Sequence, residues 1–363
     1  MHRSCDGSRV ESLQLMARKV DMSATSAAID RNWKHAVAAG PFATKEILEV
    51  VSLSIEKHPK SATMKNLPLL SNIIFKAFDL RREQLAQGSK TEFNLTNVDD
   101  IEETLNEVVI KMIYKLNDTT FRPVFIRLLE WATDGLPKKD KQGNVARLTT
   151  FYKFLQVFFG TLQSIVTGYA NYIIENVVAV LRTASPVDKN TKPLWLATMR
   201  MLRHVFEHDQ DEFWQSPTHI TQITTPLISH LSHATSASTA SLIADELIPT
   251  ITELAVAADS TDNHKELNTA IMRFLRPSAA NPSAKPGAAG KGGENPQTRI
   301  VALKAEQALT EQLGEEWLAL LPEMLPYISE LMEDEDEGVE REVRKWVKQI
   351  EGVLGERLDD MLT

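Results

Sequence analysis

Cysteine is almost absent from this chain of 363 residues. Cys5 stands alone, which excludes any disulfide within the chain and any cysteine-based zinc module, and fits a reducing compartment. Long apolar runs are also missing. The most apolar stretch, residues 151–181, is interrupted by Lys153, Gln156, Gln163, Asn171, Glu175 and Asn176, so no window supplies the ~20 apolar residues of a membrane span. The first twenty residues lack a signal-peptide core, because Arg3, Glu11, Arg18 and Lys19 break it; secretion is not expected. Positive charge is outnumbered, 40 Lys and Arg against 49 Asp and Glu, and a net charge of −9 argues against a primary nucleic-acid binder, which needs a basic footprint. Sustained period-two alternation is lacking as well, so strands are not expected.

What is present is the 3.6-residue period. Residues 315–354 read as two amphipathic helices joined by an acidic turn. On the first, Leu318, Leu321, Leu325, Ile328 and Leu331 share one stripe. On the second, Val339, Val343, Trp346, Ile350 and Leu354 share another. Asp336 fits an N-cap, and Glu337 and Glu340 place negative charge at the positive end of the helix dipole. Pro322 and Pro326 fall early in the first helix, where a start or kink costs least. The pair has the pattern of a HEAT repeat.

The same reading along the chain places helices at about 10–20, 24–38, 43–57, 63–86, 97–117, 119–133, 144–160, 161–183, 191–208, 211–231, 240–258, 262–275, 297–313, 315–333 and 337–354. In the fifth, Leu105, Val108, Val109, Met112, Ile113 and Leu116 form the stripe, with Thr96 or Asn97 as cap. Sequential helices of ordinary length joined by short polar turns make an all-α fold, an α-solenoid of HEAT-like antiparallel helix pairs. Residues 1–20 are expected to be a frayed start or part of a repeat, 21–276 a solenoid, 277–296 a disordered loop rich in Pro, Gly, Ala and Ser, 297–356 the last repeats, and 357–363 a tail. Residues 136–144 and 183–190 read as further connections.

Chemistry-bearing motifs are sparse. Gly287, Gly290 and Lys291 resemble a phosphate-binding loop, but Lys285 and Gly292 break its spacing and no strand precedes it. His204, Glu207 and His208 match the H-x-x-E-H pattern of zinc peptidases. A third ligand and a cleft are not identifiable, and ordinary helix-surface residues are the commoner source of such a pattern. Glu333–Glu337 reads as a cap-rich turn or as a contact for a basic partner. Arg341, Arg344, Lys345 and Lys348 make either a small basic patch or pairs with their own glutamates, the commoner outcome. Phe151, Tyr152, Phe154, Phe158 and Phe159 lie at helical spacing and read as core rather than a base-stacking platform. No catalytic residue, cofactor or small-molecule substrate is expected.

One segment is more specific. Residues 121–132 run Phe-Arg-Pro-Val-Phe-Ile-Arg-Leu-Leu-Glu-Trp-Ala, followed after a polar linker by Arg-Leu-Thr-Thr-Phe-Tyr at 147–152. Phe121, Val124, Phe125, Leu128 and Leu129 give a broad apolar face, Pro123 is placed in the first turn, and Trp131 adds buried surface near the helix end. Arg122 has no apolar role and reaches either a neighbouring repeat's carbonyl or a partner. Together with the ending at 320–340, which contains Pro322, Leu331, Glu333 and Asp334, and Val-Leu-Gly-Glu at 353–356, this segment resembles the carboxy-terminal region of the HEAT-repeat family of U3 small nucleolar RNA-associated protein 10. The resemblance covers most of residues 20–356. It implies a nuclear and nucleolar scaffold of the small-subunit processome that supports processing of pre-18S ribosomal RNA and transcription of its genes. Other processome proteins would be direct partners, with the U3 ribonucleoprotein and precursor RNA reached indirectly and no membrane involved. The resemblance also implies a partial sequence, whose uncapped end would drive aggregation or dimerisation. The competing reading is a HEAT adaptor of another class, for nuclear transport or a phosphatase; the remote one is a zinc hydrolase using His204, Glu207 and His208.

Overall fold

Short links between amphipathic helices set the architecture. The computed structural model describes residues 21–276 and 295–358; the expected helix at 10–20, nearly all of the loop at 277–296 and most of the tail lie outside them. The described residues are all-α, with no strand among them. The helices are α1 (Met22–Ala38), α2 (Pro41–Lys57), α3 (Lys60–Lys65), α4 (Leu67–Phe78), α5 (Leu80–Gln87), α6 (Leu95–Tyr114), α7 (Asp118–Thr133), α8 (Lys141–Thr161), α9 (Val166–Thr183), α10 (Lys192–Glu207), α11 (Pro217–Ile228), α12 (Ala237–Ala258), α13 (Thr261–Met272), α14 (Pro296–Leu313), α15 (Leu321–Met332) and α16 (Glu337–Leu354). The chain divides into two compact units whose boundary falls inside α8, between Phe158 and Phe159.

In the first unit α1 turns back onto α2 through Ala39 and Gly40. Gly40 has φ 105°, a conformation that side-chain-bearing residues rarely adopt. Helix α2 then packs on α6, and α1 on α4. The buried stripe of α6 is the one its sequence spells, Leu105, Val108, Val109, Met112 and Ile113, with Leu116 buried just past the helix end. Its cap differs. Asn94, not Thr96 or Asn97, is the N-cap, accepting from Asn97 N–H at 2.8 Å, while the Asn97 side chain answers to Asn94 N–H at 3.3 Å.

The second unit shows the repeat logic most clearly. Helix α10 packs on α12, α12 on α14 and α14 on α16, making one layer; α9 packs on α11, and α11 on α13, making the other. Each helix therefore meets the one two places along, as in stacked helix pairs. Asp336 caps α16 as its sequence implies, its carboxylate accepting from Gly338 and Val339 N–H at 2.9 and 3.1 Å. Gly355 ends that helix in the left-handed region at φ 81°.

Several expected single helices are broken, mostly at proline. The helix expected over 63–86 is three, because Pro68 restarts the chain as α4 and a second bend falls at Asp79. Expected 211–231 becomes a 3-10 turn at Phe213–Gln215, α11 starting on Pro217, and a second 3-10 turn at Ser229–His233. Expected 315–333 opens as a 3-10 stretch, Gly314–Leu320, and continues as α15 with Pro322 in its second position. That change of pitch moves the buried stripe. Trp317, Leu320, Leu321, Met324, Ile328 and Leu331 face inward, whereas Leu318 and Leu325 are only partly covered. The expected connection at 136–144 is shorter, since α8 begins at Lys141 with Asp140 accepting from Gly143 N–H at 2.9 Å. Likewise, Asn295 and Pro296 open α14 instead of closing the preceding loop.

Candidate functional site

The signature helix α7 starts from a capping box: Asn117 Oδ1 accepts from Thr120 N–H at 3.0 Å, and Thr120 Oγ1 accepts from Asn117 N–H at 3.1 Å. Phe121 N–H makes the first intrahelical bond, to Asn117 O at 2.9 Å, so Pro123 lies two residues inside the hydrogen-bonded helix, not in its first turn. Its missing N–H leaves the Thr119 carbonyl without an i+4 donor. Thr119 and Pro123 are both exposed, so the carbonyl lies at the solvent-facing side of the helix, where the proline is tolerated.

Phe121 and Phe125 are buried and belong to an aromatic cluster. Phe121 meets Phe158 at 5.6 Å between ring centroids and Phe125 meets Phe158 at 5.7 Å; Phe154 links Phe158 to Phe78, both at 5.6 Å. Phe151, Tyr152, Phe154, Phe158 and Phe159 have no exposed surface, which removes them as a base-stacking platform. Arg122 is exposed and pairs at 2.6 Å with Asp118 one turn back on its own helix.

Trp131 is only half-buried. Its ring meets Phe75 at 6.2 Å and Phe78 at 5.8 Å, and the Arg147 guanidinium stacks over it at 4.7 Å. Arg147 also donates to the Trp131 carbonyl at 3.0 Å and to Asp79 at 2.8 Å. Burial pushes the Asp79 carboxyl up, but the hydrogen bonds and charges of Arg82 and Arg147 outweigh it and hold the group below its ordinary value. Phe75, Arg127, Glu130, Trp131, Asp134 and Gly135 line an open cleft. Gly135 is sterically required there: a Cβ would fall 2.6 Å from the Trp131 carbonyl oxygen and 2.5 Å from Arg147 Nη1. The sequence reading missed Phe75 and Gly135, which no local motif marks, and marked Arg147 only as the first residue of the segment at 147–152.

At the carboxy-terminal signature, Pro322 and Glu333 are exposed and Leu331 is buried. Asp334 turns inward, pairing with Arg299 at 2.9 Å and accepting from Asp336 N–H at 2.9 Å. Of the four basic residues on α16, Arg344 pairs with Glu340 at 2.6 Å and Lys345 with Glu342 at 2.9 Å; Arg341 and Lys348 are exposed on the same helix.

The His204 motif is brought together at the end of α10. Glu207 Oε2 lies 3.4 Å from His204 Nδ1 and 3.6 Å from His208 Nε2. Two buried polar clusters were not legible as motifs. Arg81 joins Asp99 and Glu102, and Lys153 and Thr150 complete that group. Glu306 is fully buried, and burial pushes its carboxyl up to about 8, against the smaller opposing pull of the Trp317 indole N–H. The Asn268 amide nitrogen, turned toward it, stands 3.1 Å from both carboxylate oxygens.

Comparisons with known proteins agree with the signature segments. A BP28CT (NUC211) domain matches residues 62–214. The chain is 74% identical over 358 residues, 99% of its length, to U3 small nucleolar RNA-associated protein 10 of Aspergillus fumigatus, and 75% identical over 98% of its length to that of Aspergillus oryzae. The protein of the same name from Coccidioides immitis is 60% identical over 99% of this chain. In each case the chain spans about a fifth of the relative's length. Among solved structures, the karyopherin Kap121p bound to the SUMO protease Ulp1p aligns over 97% of this chain and 43% of that one. At 11% identity and a TM-score of 0.31, that likeness carries no argument.

Proposed function

We propose that this chain, which belongs with the U3 small nucleolar RNA-associated protein 10 family by sequence, is a non-enzymatic docking segment that acts in nucleolar ribosome biogenesis. The observation that carries the reading is 74% identity to a relative of that name across 99% of the chain. Its part in that relative's work is to present helix faces and inter-helix grooves to other processome proteins, supporting maturation of pre-18S ribosomal RNA and transcription of its genes.

The physical character of the chain supports protein contacts over RNA contacts. Net charge is −9, and cations such as Arg81, Arg147 and Arg299 are buried against carboxylates instead of facing solvent as a phosphate-binding stripe. Surface positions within the signature, such as Trp131 and Pro322, are the docking candidates; Phe121, Phe125 and Leu331 hold the helices together behind them. The U3 ribonucleoprotein and precursor RNA are then held through protein partners, which places the segment in the nucleolus.

Affinity purification of the tagged chain, followed by mass spectrometry and RNA sequencing, tests this. Small-subunit processome proteins with U3 RNA are the expected catch. Nuclear-transport cargo or phosphatase subunits in their place would overturn it in favour of another HEAT adaptor class.

A further inference from the structure

The end of α10 gathers metal-ligating side chains that the docking role does not use. His204 lies in the last turn of the helix, and His208 follows one turn later at its C-cap, with backbone φ −110° and ψ 24°. The ligand atoms of His204, Glu207 and His208 all lie within 4.8 Å of one another. Around tetrahedral zinc, with bonds of about 2.0–2.2 Å, adjacent ligand atoms stand roughly 3.3–3.5 Å apart. The two separations to Glu207 Oε2, 3.4 and 3.6 Å, already meet or nearly meet that requirement. The third separation, between the two histidines, is within 4.8 Å, and His208 lies at the C-cap, outside the regular helix.

The surroundings favour that arrangement. The His204 and His208 rings are nearly parallel, 10° apart with centroids 6.0 Å distant. Gly160 comes so close to His204 that a Cβ there would lie 3.1 Å from Nε2, so backbone occupies that side of the ring and Nδ1 is left toward Glu207.

We propose that His204 Nδ1, His208 Nε2 and the Glu207 carboxylate form a binding site for a divalent transition-metal ion of the zinc class. The inference assigns binding, not peptide hydrolysis, and stands independently of the docking role.

Calorimetric titration of the tag-free 363-residue chain with zinc chloride decides it. The expected result is one equivalent bound with micromolar affinity, weakened at least about tenfold by His204→Ala and by His208→Ala, with metal-free helicity unchanged. His208 is the more enclosed ring, at 14% side-chain exposure against 33% for His204, so His204→Ala is the deciding variant. Absence of saturable binding to the parent chain would overturn the proposal, as would stoichiometric binding undiminished in His204→Ala.

Discussion

The guanidinium of Arg81 grips the carboxylate of Glu102 through two parallel hydrogen bonds, Nε to Oε1 at 2.8 Å and Nη2 to Oε2 at 2.6 Å, with both side chains buried. Thr150 donates to the same carboxylate at 2.7 Å and Lys153 at 3.2 Å. Such a pair is worth little against an apolar replacement of both members but much against the loss of one, because the buried survivor loses its two-pronged partner and, for Glu102, keeps only Thr150 and the longer Lys153 contact. Arg81→Ala is therefore expected to destabilise the first unit by about 3–5 kcal/mol. Replacing both residues, Arg81→Met with Glu102→Leu, is expected to cost less than the sum of the single changes. Urea unfolding of the three variants checks both statements.

Glu306 gives a pH-dependent prediction. Its folded value, about 8, lies above the ordinary carboxyl value of 4.5, so the fold favours the protonated group. The stability this contributes is fully present below about pH 4.5 and is lost as pH rises through about 8. The two contacts from the Asn268 amide favour the ionised form and reduce the loss. Glu306→Gln is expected to stabilise the fold at pH 7 by about 1–3 kcal/mol, and to leave little or no gain at pH 4. Unfolding midpoints of both proteins across pH 4–8 measure the difference.

Gly135 has no space for a side chain between the Trp131 carbonyl and the Arg147 guanidinium. Gly135→Ala is expected to lower stability by about 1–3 kcal/mol and to loosen the Arg147 stack on Trp131. Thermal melting followed by tryptophan fluorescence reads both effects.

Pro123 tests the helix register. Because it lies beyond the first turn, Pro123→Ala restores a hydrogen bond to the Thr119 carbonyl and raises the melting temperature, by an amount corresponding to about 1 kcal/mol after the added freedom of the unfolded chain is subtracted. No change would place the proline where its N–H is not needed.

The chain's helices and much of its core were legible because burial follows the 3.6-residue period: the α6 stripe and Val339, Val343, Trp346 and Ile350 of α16 are all buried. Asp336 was legible because a cap acts over two or three residues. Helix breaks were less so, since Pro68 and Pro217 restart helices whose apolar pattern runs on through them. Buried charge was not legible at all. Arg81 meets Glu102 over 21 residues and Arg299 meets Asp334 over 35, and nothing local distinguishes such residues from solvated ones. In the signature helix the period identified Phe121 and Phe125 as core, but Trp131 depends on Phe75 and Arg147 from other helices.

The central claim is that this chain docks onto the machinery that assembles around U3 RNA. Gradient sedimentation of nuclear extract containing the tagged chain tests it most directly. The chain is predicted to travel with U3 RNA in large particles and to shift with them when precursor RNA synthesis is blocked. Sedimentation at its own mass of 40.7 kDa, apart from U3 RNA, would contradict the account.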